Sequence, residues 1–248
     1  MRKVHELVPS ESMQKPMHLW CYGHYGTPVL VFPSAAGMAH EWDAHGMTDA
    51  LATLIDAGTI KLYCTETNVS EAWTDRHADP AWRIRRHVAF ERYVSTELLS
   101  FIRRDCRSGD IRVATAGCSL GAYYASNFAL KQPETFFYAL CMSGRYDMSS
   151  FTSGLTMLEA YYNNPMAYVA NLDGEELQRV RASTHLVLVC GQGRWEDGNI
   201  EETRRIGELL ASKGISHHQD LWGHDVDHSW DWWKKQARHH LGSAFKRS

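Results

Sequence analysis

The stretch "VATAGCSLGAYYAS", Val113 to Ser126, sets strand-forming and small residues against a serine flanked by two glycines. An apolar run stops at Ser119, and "AYYASNFAL" continues as a helix, with Ala122 and Ala125 small enough for close packing on a sheet. Gly117-Cys118-Ser119-Leu120-Gly121 is therefore a G-x-S-x-G at a strand-to-helix turn, the context in which that motif has a mechanical meaning. The motif recurs by chance, so its position carries the weight. A sharp turn lifts the serine hydroxyl clear of the sheet, and the helix that follows points free N–H groups at the same spot.

Working outward, "TPVLVFPSA" (27–35), "IKLYCTETN" (60–68), "FFYALCMSG" (136–144) and "THLVLVCG" (184–191) are further apolar runs that end in small or polar residues. Such runs suit strands covered on both faces. Between them apolar residues recur at helical spacing: Met47, Leu51, Leu54 and Ile55 before Gly58; Val94, Leu98, Leu99 and Ile102; Ile206, Leu209 and Leu210 before Gly214. Strand and helix in alternation predict an α/β fold with a mostly parallel central sheet and helices on both faces. "KPMHLWCYG" is expected as an antiparallel edge, "ISHHQDLWG" as a last strand and "SWDWWKKQARHHLGSAF" as a last helix. No repeat or linker divides the chain, so residues 1–248 read as a single domain. Residues 148–182 break the alternation and read as a small lid insertion over the carboxyl edge of the sheet.

The 248 residues are 44% hydrophobic, enough for a substantial core, and carry a formal net charge of −3. With no cationic run, nucleic acid is a poor partner. Neither a signal peptide nor a membrane span is apparent, and the chain reads as cytoplasmic. Cys64, Cys118, Cys141 and Cys190 lie within apolar runs, and the six cysteines show no metal-ligand spacing, so no metal site is expected. The pairs His217–His218 and His239–His240 read as surface residues whose side chains point apart.

A nucleophilic serine needs a general base, and the base a carboxylate, in the order Ser, acid, His. "QGRWEDGN", after the fifth apolar run, offers Glu196 and Asp197; "WGHDVDHSWDWW" offers His224 and His228. An oxyanion hole takes the N–H of Leu120 and a second N–H from "VFPSAAGMAHEW", where Ser34 and Ala35 are the candidates.

Together, "VFPSAAGMAHEW", "GCSLGAYYASNFALKQPETF", "YYNNPMAYVANL", "CGQGRWED" and "HSWDWW" resemble the putative esterase family of α/β-hydrolases, which includes esterase D, enterochelin esterase relatives and mycolyltransferases. The likeness spans most of the chain. It implies the α/β-hydrolase fold, Ser119 as nucleophile, and His228 rather than His224 as base. Glu196 fits a Gly-x-x-acid pattern read from Gly193, while Asp197 is the commoner residue type. The implied activity is hydrolysis of a small-molecule ester through an acyl-enzyme, with no cofactor and no metal. An acyltransferase would use the same residues, and a non-catalytic binding protein should lack one of them. Trp73, Trp82, Tyr161, Tyr162, Trp195 and Trp222 are candidates for an aromatic wall around an acyl group. The sequence leaves the natural ester and the oligomeric state open.

Overall fold

A computed structural model describes residues 1–152 and 154–245. Eight strands, β1 (Lys3–Val8), β2 (Met17–Tyr22), β3 (Thr27–Phe32), β4 (Ile60–Thr65), β5 (Val113–Cys118), β6 (Phe136–Met142), β7 (His185–Cys190) and β8 (His217–Leu221), form one sheet in the order β1-β2-β4-β3-β5-β6-β7-β8. From β4 to β8 every neighbouring pair is parallel; β2 joins β4 and β1 joins β2 antiparallel. The mostly parallel α/β sheet is as expected, and the fold is that of α/β-hydrolases. The segment predicted as the edge, however, is the second strand in. Its outer neighbour β1, "KVHELV", alternates between exposed and partly covered residues and has too little apolar character to announce itself.

Period-2 alternation feeds two cores. From β3, Leu30 and Phe32 enter one with Phe90, Tyr124 and Phe128, whereas Val29 and Val31 enter the other with Trp42, Met47, Leu51, Trp233 and Leu241. The first face is covered by the helical run from Pro80 to Asp105 and by the helices Leu120–Lys131, Gly174–Ser183 and Asp197–Ser212. Helical residues 41–56 and the final helix Trp230–Phe245 cover the second. Phe32 stacks on Phe128 with ring centroids 5.2 Å apart, locking the Leu120–Lys131 helix over β3.

Residues 148–182 contain the short helices Leu158–Tyr161 and Pro165–Tyr168 before the Gly174–Ser183 helix, and Tyr168, Val169, Leu177 and Val180 enter the first core. Beneath them the buried Asn163 donates to Glu91 Oε2 at 3.0 Å and accepts from Asn127 Nδ2 at 2.9 Å. None of the described helices is long and apolar enough to cross a membrane. Five of the six thiols are buried.

Candidate active site

Ser119 has φ 55° and ψ −122°, a conformation costing a non-glycine residue about 1–3 kcal/mol. What holds it there is local. The Ser119 amide donates to the Met142 carbonyl at 2.8 Å, extending the β5–β6 ladder by one rung, and the chain then turns at once into the helix. Both flanking glycines are obligatory: a Cβ on Gly117 would overlap the Gly121 carbonyl, and one on Gly121 would overlap the carbonyls of Phe32 and Pro33. Ser119 is partly exposed between the buried Cys118 and Leu120. The Leu120 amide opens the helix and has no acceptor within it.

Because Cys118 pairs with Met142, Ser143 leaves β6 level with Ser119, roughly one strand spacing (~5 Å) away. Ser143 also has positive φ, 51°, and its amide donates to the Val189 carbonyl at 2.7 Å. Its hydroxyl donates to Glu196 Oε1 and accepts from Trp233 Nε1 at 2.9 Å. Glu196 is only 1% exposed, and its Oε2 lies 3.1 Å from His228 Nδ1, 2.9 Å from Asn199 Nδ2 and 3.6 Å from Cys190 Sγ. Burial pushes the Cys190 thiol well above its ordinary range, with the Glu196 charge adding to the effect, so that sulfur stays protonated and can donate. A buried carboxylate is thus surrounded by donors, the condition for keeping its charge away from water.

The His228 ring meets the Trp233 ring edge-to-face at 4.7 Å. The loops carrying acid and histidine are laced together: Gly193 N donates to Val226 O at 2.9 Å, Arg194 N to Asp227 Oδ1 at 2.7 Å, and His228 N to Arg194 O at 3.0 Å. Of the sequence candidates, Glu196 and His228 are brought together. Asp197 is exposed in the first turn of its helix, where a carboxylate suits the dipole, and His224 is exposed in the loop.

In the loop after β3 the buried Glu41 accepts from the Ser34 amide at 2.6 Å and from its hydroxyl at 2.5 Å. That removes Ser34 N–H from the pair of oxyanion candidates. The Ala35 amide is exposed and makes no hydrogen bond among the described residues. Trp230 stacks flat on His45 at 4.4 Å, joining this loop region to the His228 side.

The expected aromatic wall does not assemble as a unit. Trp73 is 1% exposed and packs on His87 and Tyr123, while Trp222 donates to Asp220 and meets Trp232 edge-to-face. Trp195 is 74% exposed, next to Glu196 in the chain; Trp82 and Tyr162 are exposed as well. A cavity of about 1080 Å³ opens at the opposite edge of the sheet, lined by Thr27, Lys61, Arg112 and Phe137 among others, away from Glu196 and His228.

Sequence reasoning missed Ser143, Asn199, Trp233 as a hydrogen-bond donor, and Glu41. Ser143 had a signal, since it ends β6 as Ser119 ends β5. Asn199 stands three positions after Glu196, the spacing at which a helical side chain reaches back.

A family profile described as "Putative esterase" matches residues 10–243. Among solved structures, a ferulic acid esterase is 16% identical with a TM-score of 0.72, over 98% of this chain and 97% of its own. The Staphylococcus aureus fluorophosphonate-binding serine hydrolase FphF is 11% identical with a TM-score of 0.74, over 99% of both chains. An S-formylglutathione hydrolase from Agrobacterium tumefaciens is 16% identical with a TM-score of 0.71, over 97% of this chain and 92% of its own. At these identities the likeness shows the shared fold. A comparison with curated proteins finds no match.

Proposed function

The chain belongs to this esterase family over residues 10–243, and from that premise we propose that it is a serine carboxylic-ester hydrolase in which Ser119, His228 and Glu196 form the catalytic triad. The observation that carries the assignment is the buried Glu196 carboxylate 3.1 Å from His228 Nδ1, in a chain whose G-x-S-x-G serine is held at φ 55°. With Nδ1–H given to Glu196, His228 Nε2 is the ring nitrogen that takes the Ser119 proton.

Serine Oγ attacks the ester carbonyl as its proton passes to His228. The oxyanion is received by the amides of Leu120 and Ala35. His228 then protonates the departing alcohol, leaving an acyl-Ser119 that water, deprotonated by the same imidazole, hydrolyses. Glu196 stabilises the imidazolium formed at each stage, and Ser143 and Asn199 keep its carboxylate aimed at Nδ1. The substrate class is a small-molecule ester.

The test is intact mass after incubation with an aryl fluorophosphonate. One adduct on the wild-type chain and none on Ser119→Ala is the expected result. No adduct on folded wild-type protein, or an adduct that survives the substitution, refutes the assignment.

A further inference from the structure

The last helix and the outermost strand bring together a second group of chemically capable side chains. Asp220, His239 and His240 each offer a ligand atom, and the three atoms lie within 4.8 Å of one another. The arrangement corrects the reading of His239 and His240 as unrelated surface residues: His240 is buried and its Nε2 lies 3.0 Å from Asp220 Oδ2, while the exposed His239 ring lies against it edge-to-face at 4.8 Å.

The secondary structure explains the convergence. Strand periodicity puts His218 and Asp220 on one face of β8, paired with Val187 and Val189, which join the core shared with Trp233, Ala237 and Leu241. His240 follows Trp233 and Ala237 at spacings of seven and three, so it faces the same strand. His218 stands behind it, ring centroids 6.2 Å apart. Trp222 Nε1 donates to Asp220 Oδ2 at 2.8 Å, the kind of outer contact that orients a ligating carboxylate, while Oδ1 has no partner among the described residues. One turn before His240 on the same face, Gln236 is fully buried with both amide atoms unpartnered among the described residues, so this interface retains polar valence.

We propose that Asp220, His239 and His240 bind a divalent transition-metal ion of the zinc class, with water or His218 completing the coordination. Two imidazoles and one carboxylate select zinc, nickel or copper over magnesium or calcium, which prefer all-oxygen sites. The donor atoms lie within 4.8 Å of one another, with His240 Nε2 and Asp220 Oδ2 at 3.0 Å, against the ~3.4 Å edge of a zinc tetrahedron. The ion would fasten β8 to the helix at the two ends of residues 221–238, the segment containing His228 and Trp233. Its role is a clip beside the proposed active site rather than a participant in ester chemistry.

The experiment is calorimetric titration of the untagged, chelator-treated chain with Zn²⁺, repeated with Co²⁺ to read the visible bands of four-coordinate cobalt and paired with thermal denaturation. Expected are one saturating equivalent, tetrahedral cobalt bands, a metal-dependent rise in Tm, and affinity at least ~10-fold weaker in both His239→Ala and Asp220→Asn. His239 is exposed, so its variant reports on binding without a folding defect. Two results overturn the proposal: no saturable binding, or binding that persists in both variants and vanishes in His228→Ala, which would place the ion at the triad instead.

Discussion

Replacing Glu196 with Gln changes a charge while keeping a shape. In the rotamer that turns Nε2 toward Ser143, the Ser143 oxygen accepts it alongside Trp233, and the remaining amide oxygen still receives His228 Nδ1–H. The packing survives, so the variant should fold. What disappears is a negative charge whose oxygen lies 3.1 Å from His228 Nδ1. With charge centres about 4 Å apart and an effective dielectric near 20, the attraction between carboxylate and imidazolium is about 4 kcal/mol. In the proposed mechanism that interaction exists only once His228 is protonated, in the transition state, so its loss falls on the chemical step and amounts to ~10³-fold. The assay is kcat/KM for p-nitrophenyl acetate at pH 7.5, with near-UV circular dichroism to verify packing and Asp197→Asn as the companion. Asp197→Asn should stay within ~5-fold of wild type, because an exposed first-turn carboxylate contributes at most about 1 kcal/mol through the dipole. A Glu196→Gln enzyme within tenfold of wild type, or an Asp197→Asn enzyme that is the more impaired of the two, would refute the reasoning.

Ser143→Ala deletes the hydroxyl between Trp233 Nε1 and Glu196 Oε1, stranding a buried indole N–H and removing a bond to a charge; about 2–4 kcal/mol of stability should go, a Tm decrease of roughly 5–15 °C, with kcat reduced more than KM is raised. His87, buried against Trp73 and linked to Asn163 Oδ1 at 3.2 Å, has its pKa pushed down by burial from 6.5 to about 4. The unfolded chain therefore binds a proton near pH 6.5 that the native chain refuses until about pH 4, and stability should fall by about 3 kcal/mol as pH drops through that window. Urea denaturation between pH 7 and pH 4 checks this: His87→Leu should flatten the dependence, and an unchanged slope would sink the account.

Much of the architecture was legible because the parallel strands β3 to β7 are apolar on both faces and lead into small or polar residues, a pattern no amphipathic element shares. β1 escaped because its alternation of Lys3, His5 and Leu7 with Val4 and Glu6 is that of an edge strand with one wet side. At the site, G-x-S-x-G announced itself through strand and helix propensities on either side of Ser119. The choice between Glu196 and Asp197 did not, since adjacent residues differ only in direction once a turn is built. Nor did the sequence show that Glu41 takes the Ser34 amide, or that His239 and His240 converge on Asp220. Those are contacts across the fold, set by packing rather than by local spacing.

The Trp233–Ser143–Glu196–His228 chain of contacts has a bearing on biosynthesis. In the proposed assignment Ser119 precedes both Glu196 and His228 in the order of translation, and Trp233, the donor to Ser143, belongs to the helix Trp230–Phe245, later still. On that proposal, a nascent chain that has already bent its serine into place lacks both the base and its support, and esterase activity begins only after the helix Trp230–Phe245 has been made.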